Sequence, residues 1–114
     1  MSIKSVEDLF KQREDAIKTK SVSLFEETQL HELVGSISSH YLSIDAMKTT
    51  ILNEVDDTPG LTKVVFVKEE YYIDNKLSHH NFLLYGIVNT IAGWKIHTIT
   101  QGFFRMGPWR NKAR

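Results

Sequence analysis

The second half of the chain alternates between apolar and polar residues with a period of two, the pattern of strands that bury one face. Three long segments carry this alternation, Thr62–Asp74, Asn81–Ile91 and Trp94–Gln101. Turn residues separate them, with Asp74-Asn75-Lys76 after the first segment and Ala92-Gly93 after the second. Long strands joined by short turns predict an antiparallel meander in this half of the protein.

The first half of the chain has helical spacing until Ala46, where an additional strand is predicted to begin and to continue to Val55. An N-cap pattern at Ser5 precedes a predicted amphipathic helix over Val6–Lys18, and a second helix is predicted over about Thr28–His40. The predicted fold class is therefore α+β. N-terminal helices are expected to pack on a strongly curved antiparallel sheet of about four main strands.

Composition narrows the function classes without selecting one. The 114 residues suit a single domain, and the 14 basic residues equal the 14 acidic ones, so the charge gives no reason to expect nucleic acid as a partner. The absence of cysteine excludes disulfides and thiolate chemistry and fits a reducing compartment. The first residues lack the apolar core of a signal peptide, and no apolar run approaches the roughly 20 residues of a membrane span. We therefore expect a cytoplasmic protein.

Three sequence features carry a family resemblance. They are the element order, the Leu9-Phe10 pair early in a helix that ends in Ala16-Ile17-Lys18-Thr19-Lys20, and Gly93-Trp94-Lys95-Ile96 at the start of the last strand. With these features the chain resembles the nuclear transport factor two-like superfamily, also called ketosteroid isomerase-like or cystatin-like, over about Val6–Gln101. The resemblance implies a cone-shaped fold with one domain over residues 1–103, a pocket between sheet and helices, and a homodimer formed through the sheet. Residues 104–114 then form a basic C-terminal tail.

Such a fold hosts isomerases, dehydratases, polyketide cyclases and binding or assembly domains, so the function depends on the pocket. Proton abstraction requires a carboxylate or histidine base and a phenolic donor in an apolar cavity. The candidate catalytic residues are Glu69, Asp74, Tyr71 and His97. The candidate ligand-pocket residues are Phe66, Tyr71, Phe82, Tyr85 and Trp94.

Neighbouring strand residues point to opposite faces, so Glu69 and Glu70 cannot both face one pocket. The simplest interpretation of both, beside Lys68, is a pair of solvated cross-strand charges. The adjacent His79 and His80 also diverge, so no metal site is predicted, and the chain has no phosphate-loop or dinucleotide motif that would imply a cofactor.

Three hypotheses remain. The preferred one is a non-enzymatic, pocket-bearing homodimer that binds a small apolar or aromatic ligand or serves in assembly. The second is a cofactor-independent isomerase, dehydratase or cyclase that acts by proton abstraction. The third is a module that binds a protein or a polyanion through its sheet or its basic tail.

Overall fold

Helices come first and a single antiparallel sheet follows, as the sequence predicted. The computed structural model describes residues 3–30 and 40–101. The helices are α1, Val6–Thr19, and α2, Val22–Glu26; the strands are β1, Ala46–Thr58, β2, Thr62–Ile73, β3, Lys76–Thr90, and β4, Gly93–Gln101. The strands lie in the order β1-β2-β3-β4. The predicted α+β class, with N-terminal helices on a sheet, is confirmed.

Helix α1 begins and ends where its capping residues dictate. The Ser5 hydroxyl accepts a hydrogen bond from the Asp8 backbone N–H at 3.1 Å. At the other end Lys20 adopts a left-handed conformation, with φ of 59°, and its N–H turns back to the carbonyls of Ala16 and Ile17. The bounds of this helix agree with the predicted Val6–Lys18 within one residue.

Removal of the cap is expected to weaken this helix. Ser5→Ala leaves the Asp8 N–H without its acceptor, which should lower the free energy of unfolding by about 1 kcal/mol. Urea denaturation measures the loss. Ser5→Asp restores an acceptor and should recover most of the stability; equal losses in both variants would contradict the capping role.

The prediction of a second helix over about Thr28–His40 is wrong at the start of that range. There the chain runs beside β4: the Ile96 N–H donates to the Thr28 carbonyl at 2.8 Å, and the Leu30 N–H donates to the Ile96 carbonyl at 2.9 Å. These bonds satisfy part of the outer edge of β4, and they compete with helical bonds for the same backbone groups. Residues 31–39 of the predicted helix lie outside the described residues, and its last residue, His40, is helical.

The two faces of the sheet have different environments, and their division on β2 follows the predicted alternation. On the face that the helices cover, here called the inner face, the side chains in the middle of β2 and β3 are buried. These side chains are Val65, Val67, Glu69, Tyr71, Leu83, Tyr85 and Ile87. The opposite face, here called the open face, carries Val64, Phe66, Lys68, Glu70, Phe82, Leu84 and Val88.

Strand β3 begins earlier than predicted, at Lys76 rather than Asn81. The polar residues before Asn81 have little strand propensity, but His79 and His80 pair with residues at the end of β2. The turn before β3 was predicted correctly. Asp74 and Asn75 have φ of 54° and 64°, the two positive values that a tight two-residue hairpin turn needs.

Candidate functional site

A buried ion pair joins the first helix to the middle of the sheet. The Arg13 Nη1 atom lies 3.2 Å from the Glu69 Oε2 atom, and both side chains are 0% exposed. Arg13 is on the side of α1 that also buries Leu9 and Ile17, and Glu69 follows Val67 on the inner face. Fully buried charges of this kind are rare unless they are paired and hydrogen-bonded.

Three tyrosines complete this site by donating to the carboxylate. The Tyr41 hydroxyl donates to Glu69 Oε1 at 2.7 Å, and the Tyr71 hydroxyl donates to the same oxygen at 2.5 Å. The Tyr85 hydroxyl donates to Oε2 and accepts from Arg13 Nη1 at 2.9 Å. We call these five residues, Arg13, Tyr41, Glu69, Tyr71 and Tyr85, the Glu69 cluster.

The carboxylate of Glu69 is saturated in this arrangement. An ionised carboxylate has about four lone-pair sites, and here one guanidinium N–H and three phenols bind them. Each phenol has a single proton, so the 3.2 Å contact between the Tyr41 and Tyr85 oxygens has no proton of its own. To act as a base toward a substrate, Glu69 would have to release one of these donors.

Burial and the Glu69 carboxylate keep the phenols of the cluster protonated. Burial raises the pKa of Tyr41, Tyr71 and Tyr85 above the ordinary value of 10.0, and the negative charge of Glu69 raises each further. For Arg13, burial alone would lower the pKa, but its neighbours Tyr85, Tyr41 and Glu69 outweigh burial and raise it. The cluster therefore consists of a guanidinium, a carboxylate and three neutral donors.

The raised phenol pKa values predict a loss of stability in alkali. Above about pH 10 the unfolded chain releases tyrosine protons that the folded protein retains, so the free energy of unfolding falls as pH rises past that value. Urea denaturation between pH 8 and pH 11 should show little change up to about pH 10 and, above it, a loss that approaches roughly 1.4 kcal/mol per pH unit for each such phenol. Tyr71→Phe should reduce the slope, whereas Tyr72→Phe removes a phenol outside the cluster and serves as its control. An equal slope in both variants would contradict the assignment.

Aromatic rings surround the guanidinium of Arg13. Its central carbon lies 5.0 Å from the ring centroid of Phe25, 4.8 Å from that of Tyr41 and 5.1 Å from that of Tyr85. These distances are within the range of cation–π attraction, which strengthens where water is excluded. The rings thus stabilise the buried cation in addition to the charge of Glu69.

One side of the cluster approaches the protein surface through Tyr71. The ring of exposed His79 packs against the Tyr71 ring with centroids 4.6 Å apart. The Asn81 amide nitrogen donates to the Tyr71 hydroxyl at 3.4 Å. His79 and Asn81 are thus the described rim residues of the site.

The sequence-predicted residues divide between several places. Glu69, Tyr71 and Tyr85 meet in the cluster. Trp94 is also on the inner face, where its ring lies 5.7 Å from the Lys63 ammonium, and Asp74 is exposed in the turn after β2.

The remaining predicted residues lie on the open face. Phe66 and Phe82 pack together there with ring centroids 6.1 Å apart. His97 is half-exposed, and its Nε2 atom would lie 3.2 Å from a Cβ built on Gly86. These three side chains therefore face away from Glu69, so the candidate residues lie on both faces of the sheet.

The interpretation of Glu69 as a solvated charge is wrong. It is fully buried because α1 covers this part of the inner face and brings Arg13 against it. Glu70, in contrast, is half-buried on the open face, where its carboxylate lies 3.8 Å from the Lys68 ammonium.

Arg13 and Tyr41 were missed from the candidate list. Arg13 occupies a position in the apolar stripe of α1, four residues after Leu9 and four before Ile17. A charged residue at such a position needs a buried partner, and this was the available signal. Tyr41 gave no comparable signal, since a tyrosine fits an apolar helical position without further explanation.

Two other kinds of feature are absent from residues 3–30 and 40–101. No group of three or more histidine, aspartate or glutamate side chains is placed to hold a metal ion in these ranges. None of the helices described there is long and apolar enough to cross a membrane.

The class of protein defined here is a small α+β domain with a polar cluster buried between its first helix and its sheet. Among solved structures the chain is similar to a candidate calcium/calmodulin-dependent protein kinase type II association domain from Thiobacillus denitrificans. The match has a TM-score of 0.66 at 10% identity and covers 89% of this chain and 96% of that one. No family model matches the sequence, and no curated protein matches it. The similarity therefore establishes a shared fold.

Proposed function

We propose that this chain is a nuclear transport factor two-like assembly domain that forms a homodimer through the open face of its sheet. The observation that carries the proposal is the apolar centre of that face. Phe66, Leu84 and Val88 are only half-buried, Phe82 is 37% exposed, and both described helices pack on the other side of the sheet. An apolar surface of this kind commonly marks a protein interface.

The dimensions of the open face suit a stable dimer. Strands spaced about 4.8 Å apart and rising roughly 3.4 Å per residue give the 4 strands a face of roughly 800 Å² along the 12 residues of β2. A stable complex buries about 800 Å² on each partner. A second copy of this chain offers a surface of the same size and the same apolar centre.

The structural neighbour supports the assembly role over the alternatives. Its description as an association domain is a statement about that protein, and the shared fold makes assembly a reasonable role for this chain. The proton-abstraction hypothesis receives less support, because the arrangement around Glu69 leaves no lone pair for a substrate. A small ligand remains compatible with assembly, since the inner-face residues Tyr71, Tyr85 and Trp94 are not used by the proposed interface.

The oligomeric state tests this proposal. Analytical ultracentrifugation of the full chain at micromolar concentration is expected to give a dimer. Phe82→Lys places a charge at the centre of the interface and should give a folded monomer. Ile91→Lys is the matched control, because Ile91 is fully exposed in the turn between β3 and β4, and this variant should remain dimeric.

Two outcomes would contradict the proposal. One is a full chain that is monomeric at every concentration, and the other is a dimer that Phe82→Lys leaves intact. A further variant, which lacks residues 107–114, tests whether the C-terminal segment occupies the open face. If it dimerises while the full chain does not, the C-terminal segment covers the open face in place of a second copy.

A further inference from the structure

The guanidinium of Arg13 has two edges, and only one of them forms hydrogen bonds with the described residues. On the first edge, Nη1 donates to Glu69 and Tyr85. On the second, Nε and Nη2 are buried and have no hydrogen-bond acceptor among the described residues. A buried N–H group without an acceptor is costly, and the cost is larger for a charged side chain. The second edge is therefore open to an acceptor that the described residues do not supply.

The geometry of a guanidinium restricts what this acceptor can be. Aromatic rings pack around Arg13, with three ring centroids within 5.1 Å of its central carbon. The Nε–H bond and one Nη2–H bond point in parallel within the guanidinium plane, so they fit the two oxygens of a carboxylate. A single carbonyl oxygen can also accept both of them, because it has two lone pairs.

The charge of the cluster distinguishes between these two acceptors. Glu69 already neutralises Arg13, and the three phenols are protonated, so the cluster has no net charge. A ligand carboxylate would add an unbalanced negative charge at a fully buried position, where desolvation is expensive. A neutral carbonyl oxygen accepts both N–H groups without that charge.

We propose that the Nε and Nη2 edge of Arg13 binds an uncharged ligand through its carbonyl oxygen, such as the oxygen of a primary amide. This site is separate from the proposed dimer interface, because Arg13 lies between α1 and the inner face. A domain that assembles through one side of its sheet would then bind a small molecule on the other.

Two probes of the same shape and different charge test the proposal. Acetamide and acetate are each titrated into the ¹⁵N-labelled full chain at neutral pH, and the Arg13 Nε–H signal is followed by NMR. We expect acetamide to shift this signal in a saturable way, with a dissociation constant several-fold lower than that of acetate. The Nε–H signals of Arg105, Arg110 and Arg114 report non-specific effects of each probe.

Glu69→Gln provides an independent test of the charge argument. This isosteric change leaves Arg13 without its balancing carboxylate, so the preference should reverse and acetate should bind more tightly than acetamide. A preference for acetate in the unmodified protein would overturn the proposal, as would no response of Arg13 to either probe. Retention of the amide preference in Glu69→Gln would overturn the charge argument. If this variant does not fold, the comparison of the two probes on the unmodified chain decides.

Discussion

Replacing Arg13 with methionine is expected to lower the free energy of unfolding by about 3–5 kcal/mol, the usual effect of leaving one member of a buried ion pair without its partner. The methionine retains most of the packing volume of the side chain but removes the positive charge opposite Glu69. The three phenols still donate to the carboxylate, yet they carry no charge that could balance it. Chemical denaturation of the two proteins at neutral pH measures the difference.

A double-mutant cycle separates the ion pair from the other contacts of Arg13. Glu69→Gln on its own leaves the cation buried without its counter-charge, whereas Arg13→Met combined with Glu69→Gln leaves neither charge. The double variant should therefore be more stable than the sum of the two single losses predicts. Lys63→Met serves as the surface control, because its pairs with Glu54 and Asp56 are partly exposed and should contribute far less. Additive losses at Arg13 and Glu69 would contradict the buried pair.

The sequence predicted some members of the Glu69 cluster and missed others. The period of two placed Glu69 and Tyr71 on one face of β2, and the same pattern placed Tyr85 on one face of β3, because alternation depends only on local backbone geometry. The contact between Arg13 and Glu69 joins positions 56 residues apart. No local pattern encodes such a distance, so the burial of Glu69 could not be read from the residues next to it.

Irregular strand pairing explains a second kind of wrong prediction, the assignment of β4 side chains to the two faces of the sheet. The predicted alternation of β4 placed His97 and Ile99 on the same face. A register shift between Gly86 and Ile87 of β3 breaks the alternation, so that Ile99 pairs with Tyr85 and packs against the core of the inner face. His97 then lies beside Gly86 on the open face. One extra residue in a strand reverses every later side chain, and a bulge of this kind has no clear signal in a single sequence.

Turns were easier to predict because their backbone conformation depends on particular residues. Substitution of one such residue, Gly93, has the second of the two largest expected effects on stability. Gly93 has φ of 103°, a conformation that side chains disfavour. A Cβ atom at this position would collide with the backbone of Ile3, whose carbonyl carbon would lie 2.9 Å away. The same backbone segments are joined by a hydrogen bond from the Trp94 N–H to the Ile3 carbonyl at 2.9 Å.

Gly93→Ala is therefore expected to destabilise the protein by roughly 3 kcal/mol or more, through backbone strain together with the separation of Ile3 from β4. Gly60→Ala is the matched control: Gly60 also has a positive φ, of 78°, but nothing lies within 4 Å of a Cβ built there. That variant should lose only about 1–2 kcal/mol, the strain of a left-handed residue alone. Thermal and urea denaturation of both variants measures the difference, and amide hydrogen exchange at Trp94 should quicken in Gly93→Ala only. Equal losses would mean that conformational strain acts alone and that the close approach of Ile3 to Gly93 does not limit the residue at this position.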